Sequence, residues 1–171
     1  EGPSTYGEAA IVMEVGTGAI LYAKNIDSSY YPASITKILT TLIALENGSL
    51  GDPVSFSADS VSFLEWGDAQ IGMKEGNVIT LEQALYAVLL ASANEVSYAV
   101  AESVGENAGY GYNWFLEQMN VRCGQLGGIN SHFSNPHGLH AEDHYTCAMD
   151  MALITREAFK HPEIFTIMQT L

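Results

Sequence analysis

Ser34-Ile35-Thr36-Lys37, directly behind the turn signal Tyr31-Pro32-Ala33, decides the reading of this chain. On a helix, residues three apart share a face, so this spacing puts a hydroxyl beside an amine able to take its proton. Behind it, Ile38, Leu39, Leu42, Ile43 and Leu45 form an apolar run that anchors a helix of about residues 34–47 in a core. Burial of the lysine stem favours the neutral amine a general base must be. A plainer reading competes: Ser34 caps the helix and Lys37 faces water.

A second motif tilts the balance. Ser92-Ala93-Asn94 follows Leu81, Leu85, Val88, Leu89 and Leu90, and precedes another helical pattern of about residues 95–104, with Gly105 as its stop. Thr80 and Gln83 make a capping box that starts the first of these helices. Ser92 and Asn94 then fall at the joint between two buried helices, where short polar side chains can reach a cleft.

With these motifs the chain resembles the low-molecular-mass penicillin-binding proteins, specifically the serine D-alanyl-D-alanine carboxypeptidases. The resemblance extends over nearly the whole chain: Ala9 to Met13 and Gly18 to Tyr22, the Tyr31 to Lys37 block, Leu89 to Asn94, Met119-Asn120, Leu126-Gly127 and the run His132-Phe133-Ser134-Asn135-Pro136-His137-Gly138-Leu139. It implies an α+β chain of the β-lactamase/transpeptidase-like fold, a helical cluster beside an antiparallel sheet, with Ser34, Lys37 and Ser92 catalytic and Asn94 substrate-binding. Ser34 attacks the carbonyl of the penultimate D-alanine of a peptidoglycan stem peptide, Lys37 takes its proton, Ser92 relays a proton to the leaving amine, and Asn94 holds Lys37 and the substrate backbone. A β-lactam antibiotic enters by the same step and stalls as an ester. The family implies no cofactor and no metal.

One family motif is missing: none of the four lysines is followed by Thr-Gly or Ser-Gly. In the family the Lys-Thr-Gly motif lies on a strand lining the site. Residues 1–171 are therefore expected to be the N-terminal part of a single catalytic domain, with the C-terminal strands of the sheet absent. One oxyanion donor goes with that strand, at a cost on the order of 100- to 1,000-fold in rate, so weak turnover by this chain alone is expected. A two-stranded remnant has open edges, which leads us to expect a complementing C-terminal fragment or a second copy. A non-catalytic β-lactam- or cell-wall-binding module remains an alternative. A class A β-lactamase fits less well, since no Glu-x-x-Leu-Asn follows Asn94 and Ala93 stands where Asp is usual.

Composition agrees with a folded domain: 171 residues, 47% apolar, can bury a sizeable core. The net charge of −14 argues against nucleic acid or an anionic membrane surface as partner. No apolar stretch is long enough to cross a bilayer, and Glu1-Gly2-Pro3-Ser4 has no leader character. By resemblance the protein acts outside the cytoplasmic membrane, secreted or held at its outer face by segments not in these residues.

Cys123 and Cys147 permit a disulfide but match no zinc spacing, and two free, partly buried thiols are expected. Four of the five histidines fall between His132 and His144, yet without regular ligand spacing. Elsewhere, runs at 9–15 and 19–23 joined by Gly16-Thr17-Gly18 predict a hairpin. Short strands are expected within 50–79, and helices over 112–126 and 146–160, the last stopped by Pro162.

Overall fold

The computed structural model describes residues 3–170; Glu1 and Gly2 of the opening stretch, and Leu171, lie outside the described residues. The predicted hairpin forms, with β1 (Ala10–Met13) antiparallel to β2 (Ile20–Lys24). The register runs from Ala10 opposite Lys24 to Met13 opposite Ile20, slipping by a bulge between Val12 and Met13. At its turn, Gly16 and Thr17 N–H groups cap the Glu14 carboxylate, and with the Thr17 hydroxyl they hold that carboxyl below the usual range.

The segment carrying Ser34 and Lys37 is not one continuous α-helix. Residues Ala33–Ile35 form a single 3-10 turn, and α1 (Thr36–Asn47) begins behind it. Ile35 occupies the N-cap position and makes no side-chain cap bond, which rules out the reading of Ser34 as a helix cap. Gly48 ends the helix as expected, in extended rather than left-handed backbone. Leu39, Leu42 and Ile43 are fully enclosed, and Ile38 and Leu45 pack at the margin of the same core. Each buried side chain of this size contributes about 1.5–3 kcal/mol.

In the mixed region, β3 (Pro53–Ser55) and β4 (Val78–Thr80) pair antiparallel around a short α2 (Ala58–Ser62). Then α3 (Leu81–Leu90) starts at the predicted capping box: Thr80 Oγ1 accepts from Gln83 N–H and Gln83 Oε1 from Thr80 N–H. Its neighbour α4 (Asn94–Asn107) begins one residue earlier than read and runs two residues past Gly105. That glycine is needed for close approach: a Cβ there would stand 2.2 Å from Gly111 O, so absence of a side chain lets α4 meet the start of α5 (Tyr112–Gln125).

The last predicted helix is shorter, α6 (Ala148–Ala158), and Pro162 opens a further helix, α7 (Pro162–Met168), where the sequence suggested only a stop. Proline suits the first turn of a helix as well as the residues past its end. α1 lies at the centre of the helical cluster, packed against α3, α4, α5 and α6, while β1 rests on α6. Arg156 of α6 donates to Val15 O and Gly16 O and so ties the hairpin tip to the helices. Cys123 and Cys147 are both free and buried; burial pushes the Cys123 thiol up to about 11.

Candidate active site

Three chain segments meet at the N-terminal end of α1. The first is the turn carrying Ser34, the second is the joint between α3 and α4, and the third is the loop of residues 131–147. Ser34 is exposed on the turn, whereas Lys37, one turn on, is only 3% exposed. Ser92 occupies the α3–α4 joint with a left-handed backbone (φ 52°), a conformation that costs a non-glycine residue about 1 kcal/mol or more. That twist aims its hydroxyl at the other serine, and Ser92 Oγ donates to Ser34 Oγ at 3.1 Å.

Lys37 is held from two sides. Nζ donates to Asn94 Oδ1 at 2.8 Å and to the His137 carbonyl at 2.6 Å. A neutral amine has two N–H groups and one lone pair. Both N–H groups are thus satisfied and the lone pair is left to accept a proton. Burial pushes the Lys37 amine down to about 8, with the Glu95 carboxylate acting in the opposite direction. Among the described residues Lys37 makes no hydrogen bond to Ser34; the one-turn spacing brings the two side chains to one face, but the direct partner of Ser34 is Ser92.

The 131–147 loop is built to present that carbonyl. Asn135 Oδ1 accepts from Gly138 N–H and His137 N–H, and its amide donates to Leu139 O, which winds Asn-Pro-His-Gly-Leu into a tight turn. Thr40 of α1 donates to Pro136 O at 2.6 Å, clamping the turn to the helix. Gly138 adopts φ 88°, and a Cβ there would lie 1.8 Å from Ala33 O. Backbone therefore touches backbone directly beside the serine.

The His137 ring stacks on Phe63, with centroids 4.7 Å apart, and burial followed by the charge of Lys37 drives its pKa down to about 3. His144, pushed down to about 4 by burial, accepts Ser134 N–H at Nδ1, so its Nε2 carries the proton facing Thr36 Oγ1 at 2.8 Å. Both histidines serve as neutral structural groups at pH 7. No group of three or more His, Cys, Asp or Glu side chains placed to hold a metal ion occurs among the described residues.

Above these groups opens a cavity of about 310 Å³, lined by Tyr31, Ser34, Asp68, Asn94, His137 and His140 among others. The segment at residues 67–69 forms part of its wall and is tied to α4: Asn94 N–H and Nδ2 both donate to Ala69 O, and two residues further on Ile71 N–H donates to Glu95. The four residues singled out from sequence, Ser34, Lys37, Ser92 and Asn94, come together here. The His137 carbonyl, Gly138 and Glu95 were not singled out from sequence. The run containing His137 and Gly138 carried the family resemblance, but nothing in it announced a backbone contact to Lys37.

A sequence profile of the D-alanyl-D-alanine carboxypeptidase family matches residues 1–170. The D-alanyl-D-alanine carboxypeptidase DacF of Bacillus subtilis is 35% identical over 162 residues, covering 92% of this chain and 40% of that protein. The crystal structure of the D-alanyl-D-alanine carboxypeptidase DacD from Francisella tularensis superposes with a TM-score of 0.85 at 30% identity, over 96% of this chain and 40% of that one. The Streptomyces K15 DD-transpeptidase gives a TM-score of 0.87 at 27% identity, over 96% of this chain and 65% of that one. The chain thus spans about two fifths of the length of the two carboxypeptidases. The expected α+β architecture, a β-lactamase/transpeptidase-like fold, is the one these neighbours share.

Proposed function

The chain belongs to the D-alanyl-D-alanine carboxypeptidase family, and on that footing we propose that it carries the acylation machinery of a serine D-Ala-D-Ala carboxypeptidase acting on peptidoglycan stem peptides. The observation that carries the proposal is the buried Lys37 amine. Both its N–H groups are taken by Asn94 and His137, and it lies within one turn of an exposed serine that a second serine contacts.

In this reading Ser34 Oγ attacks the carbonyl of the penultimate D-alanine and its proton passes to the Lys37 lone pair. As the C–N bond breaks, Ser92 gives its proton to the departing amine of the terminal D-alanine and takes the one held by Lys37, so that both side chains return to their starting state. Asn94 keeps Lys37 in place and bonds the substrate backbone. Water then adds to the ester and frees Ser34. Opening of a β-lactam amide follows the same first step, which makes these antibiotics covalent ligands of Ser34. The Ser34 N–H supplies one oxyanion donor, and turnover by these residues alone is slow for want of a second from a Lys-Thr-Gly strand.

We further propose an added strand at the open edge of the β1–β2 hairpin, from a complementing segment or a second copy. An apolar groove of about 330 Å³ between β1 and α6, lined by Met13, Ile38, Met151 and Phe159 among others, supports it. The substrate places the site outside the cytoplasmic membrane; no helix among the described residues is long and apolar enough to cross one.

The test is release of free D-alanine from a diacyl-L-Lys-D-Ala-D-Ala peptide. The proposal predicts slow release that Ser34→Ala and Lys37→Met abolish. Release that survives Ser34→Ala would overturn it.

A further inference from the structure

A lysine and a glutamate lie in the interior beside the site, and the proposed chemistry uses only the lysine. Lys37 is 3% exposed and Glu95 is fully enclosed. Glu95 follows Asn94 in the first turn of α4. Its Oε1 accepts from Ile71 N–H at 2.7 Å, while Oε2 is buried without a hydrogen-bond partner among the described residues. A carboxylate withdrawn from water with a single donor is strongly unfavourable unless a charge offsets it.

The basic side chains leave one candidate for that charge. Arg122 and Lys160 pair with glutamates. Arg156 is committed to the hairpin tip, Lys24 donates to Thr5 O, and Lys74 is exposed. Lys37 alone among the described residues is a buried cation, on a helix packed directly against α4.

We infer that Glu95 is a positioning residue for acylation, anchoring Ile71 directly behind the cavity wall at residues 67–69 and supplying the buried negative charge that balances Lys37. The inference rests on Lys37 acting as the base. Asn94 and Glu95 act together, because Asn94 joins Lys37 to Ala69 while Glu95 joins the same end of α4 to Ile71. Wall and base are therefore tied to the same end of α4.

The charge also tunes the base. Burial alone would make Lys37 a weak proton acceptor, and Glu95 opposes that fall. The other titratable groups nearby are His137 and His144 on the 131–147 loop and Asp68 on the wall segment next to Ala69. The two histidines, at about 3 and about 4, stay neutral throughout the range in which Lys37 titrates.

The deciding experiment titrates Lys37 by NMR in the 171-residue chain carrying 13Cε-lysine, with Lys37→Met to assign its signal. Glu95→Gln keeps an oxygen for Ile71 N–H and removes the charge. It should lower the Lys37 midpoint by about half a pH unit or more and leave Lys24, Lys74 and Lys160 where they were. Glu95→Asp keeps the charge and should hold the midpoint near that of the wild type. Glu95→Ala, which also frees the wall, should slow labelling of Ser34 by a fluorescent penicillin about tenfold or more.

An unchanged Lys37 midpoint in folded Glu95→Gln overturns the inference. Should that variant not fold, a Glu95→Asp midpoint displaced as far as that of Glu95→Ala overturns it instead. Absence of any label on wild-type Ser34 would overturn the acylation reading, and the titration would still decide whether Glu95 governs Lys37.

Discussion

Replacing Gly138 by alanine should disarm Ser34 without removing any polar side chain of the site. The new Cβ would stand 1.8 Å from Ala33 O, 2.4 Å from Ala33 C and 3.2 Å from Ser34 N. Carbon and oxygen rest at roughly 3.3 Å or more, so the two backbones must part by about 1.5 Å. Neither side yields easily. Gly138 N–H is held at 2.7 Å by Asn135, and the preceding carbonyl is bonded to Lys37. Alanine at φ 88° adds about 1 kcal/mol of backbone strain, and overpacking of this kind costs about 1–3 kcal/mol.

The expected destabilisation is therefore about 2–4 kcal/mol, together with a shift of Ser34 near 1 Å, which costs on the order of 100-fold in rate. The assay is the second-order rate constant for labelling by a fluorescent penicillin, with Tm and far-ultraviolet circular dichroism recorded on the same samples. Gly124→Ala serves as the control. No atom beyond its own helix and chain neighbours lies within 4 Å of the added Cβ, it sits inside α5, and it should gain about 0.5–1 kcal/mol with labelling unchanged. Labelling of Gly138→Ala at the wild-type rate, with unaltered Tm, would refute the claim that this backbone contact positions Ser34.

The pH dependence of labelling follows from Lys37. With its pKa lowered to about 8, the neutral fraction rises from about 9% at pH 7 to about 91% at pH 9, so the rate should climb about tenfold over that range and then level. A rate that is flat from pH 7 to 9, or still climbing at pH 10.5, would contradict that assignment. Thr80→Ala removes one half of the capping box and should cost about 1 kcal/mol in urea unfolding, with labelling of the surviving native protein intact. Gly105→Ala should cost about 2 kcal/mol or more in the same assay, because its Cβ meets the Gly111 backbone at 2.2 Å and not a side chain that can turn away.

What the sequence revealed most clearly was local. Ser34 and Lys37 lie one turn apart, Thr80 and Gln83 three residues apart, and Gly16-Thr17-Gly18 between two β-prone runs, and each pattern forms within a few residues. The readings that failed involved a contact that helix periodicity does not encode or a residue with two uses. Gly105 looked like a helix stop because the sequence does not reveal that Gly111 packs against it. Pro162 looked like an end because the same ring that closes one helix can open the next.

The partners of Lys37 show the same division. Asn94 could be paired with it through the motif, whereas the His137 carbonyl is a backbone atom 100 positions away, and no side-chain pattern encodes it. Glu95 was invisible for another reason. At the start of a helix a glutamate reads as an ordinary solvated charge favoured by the dipole, and only tertiary packing around α4, with Ile71 brought against its first turn, places it in the interior.

The most direct test of the central claim is intact mass after incubation with a fluorescent penicillin, on the wild-type chain and on Ser34→Ala, with the modified peptide mapped. The account predicts one adduct per wild-type chain, located on Ser34, and none in the variant. A wild-type chain that stays unmodified while folded, or an adduct that persists in Ser34→Ala, would contradict it.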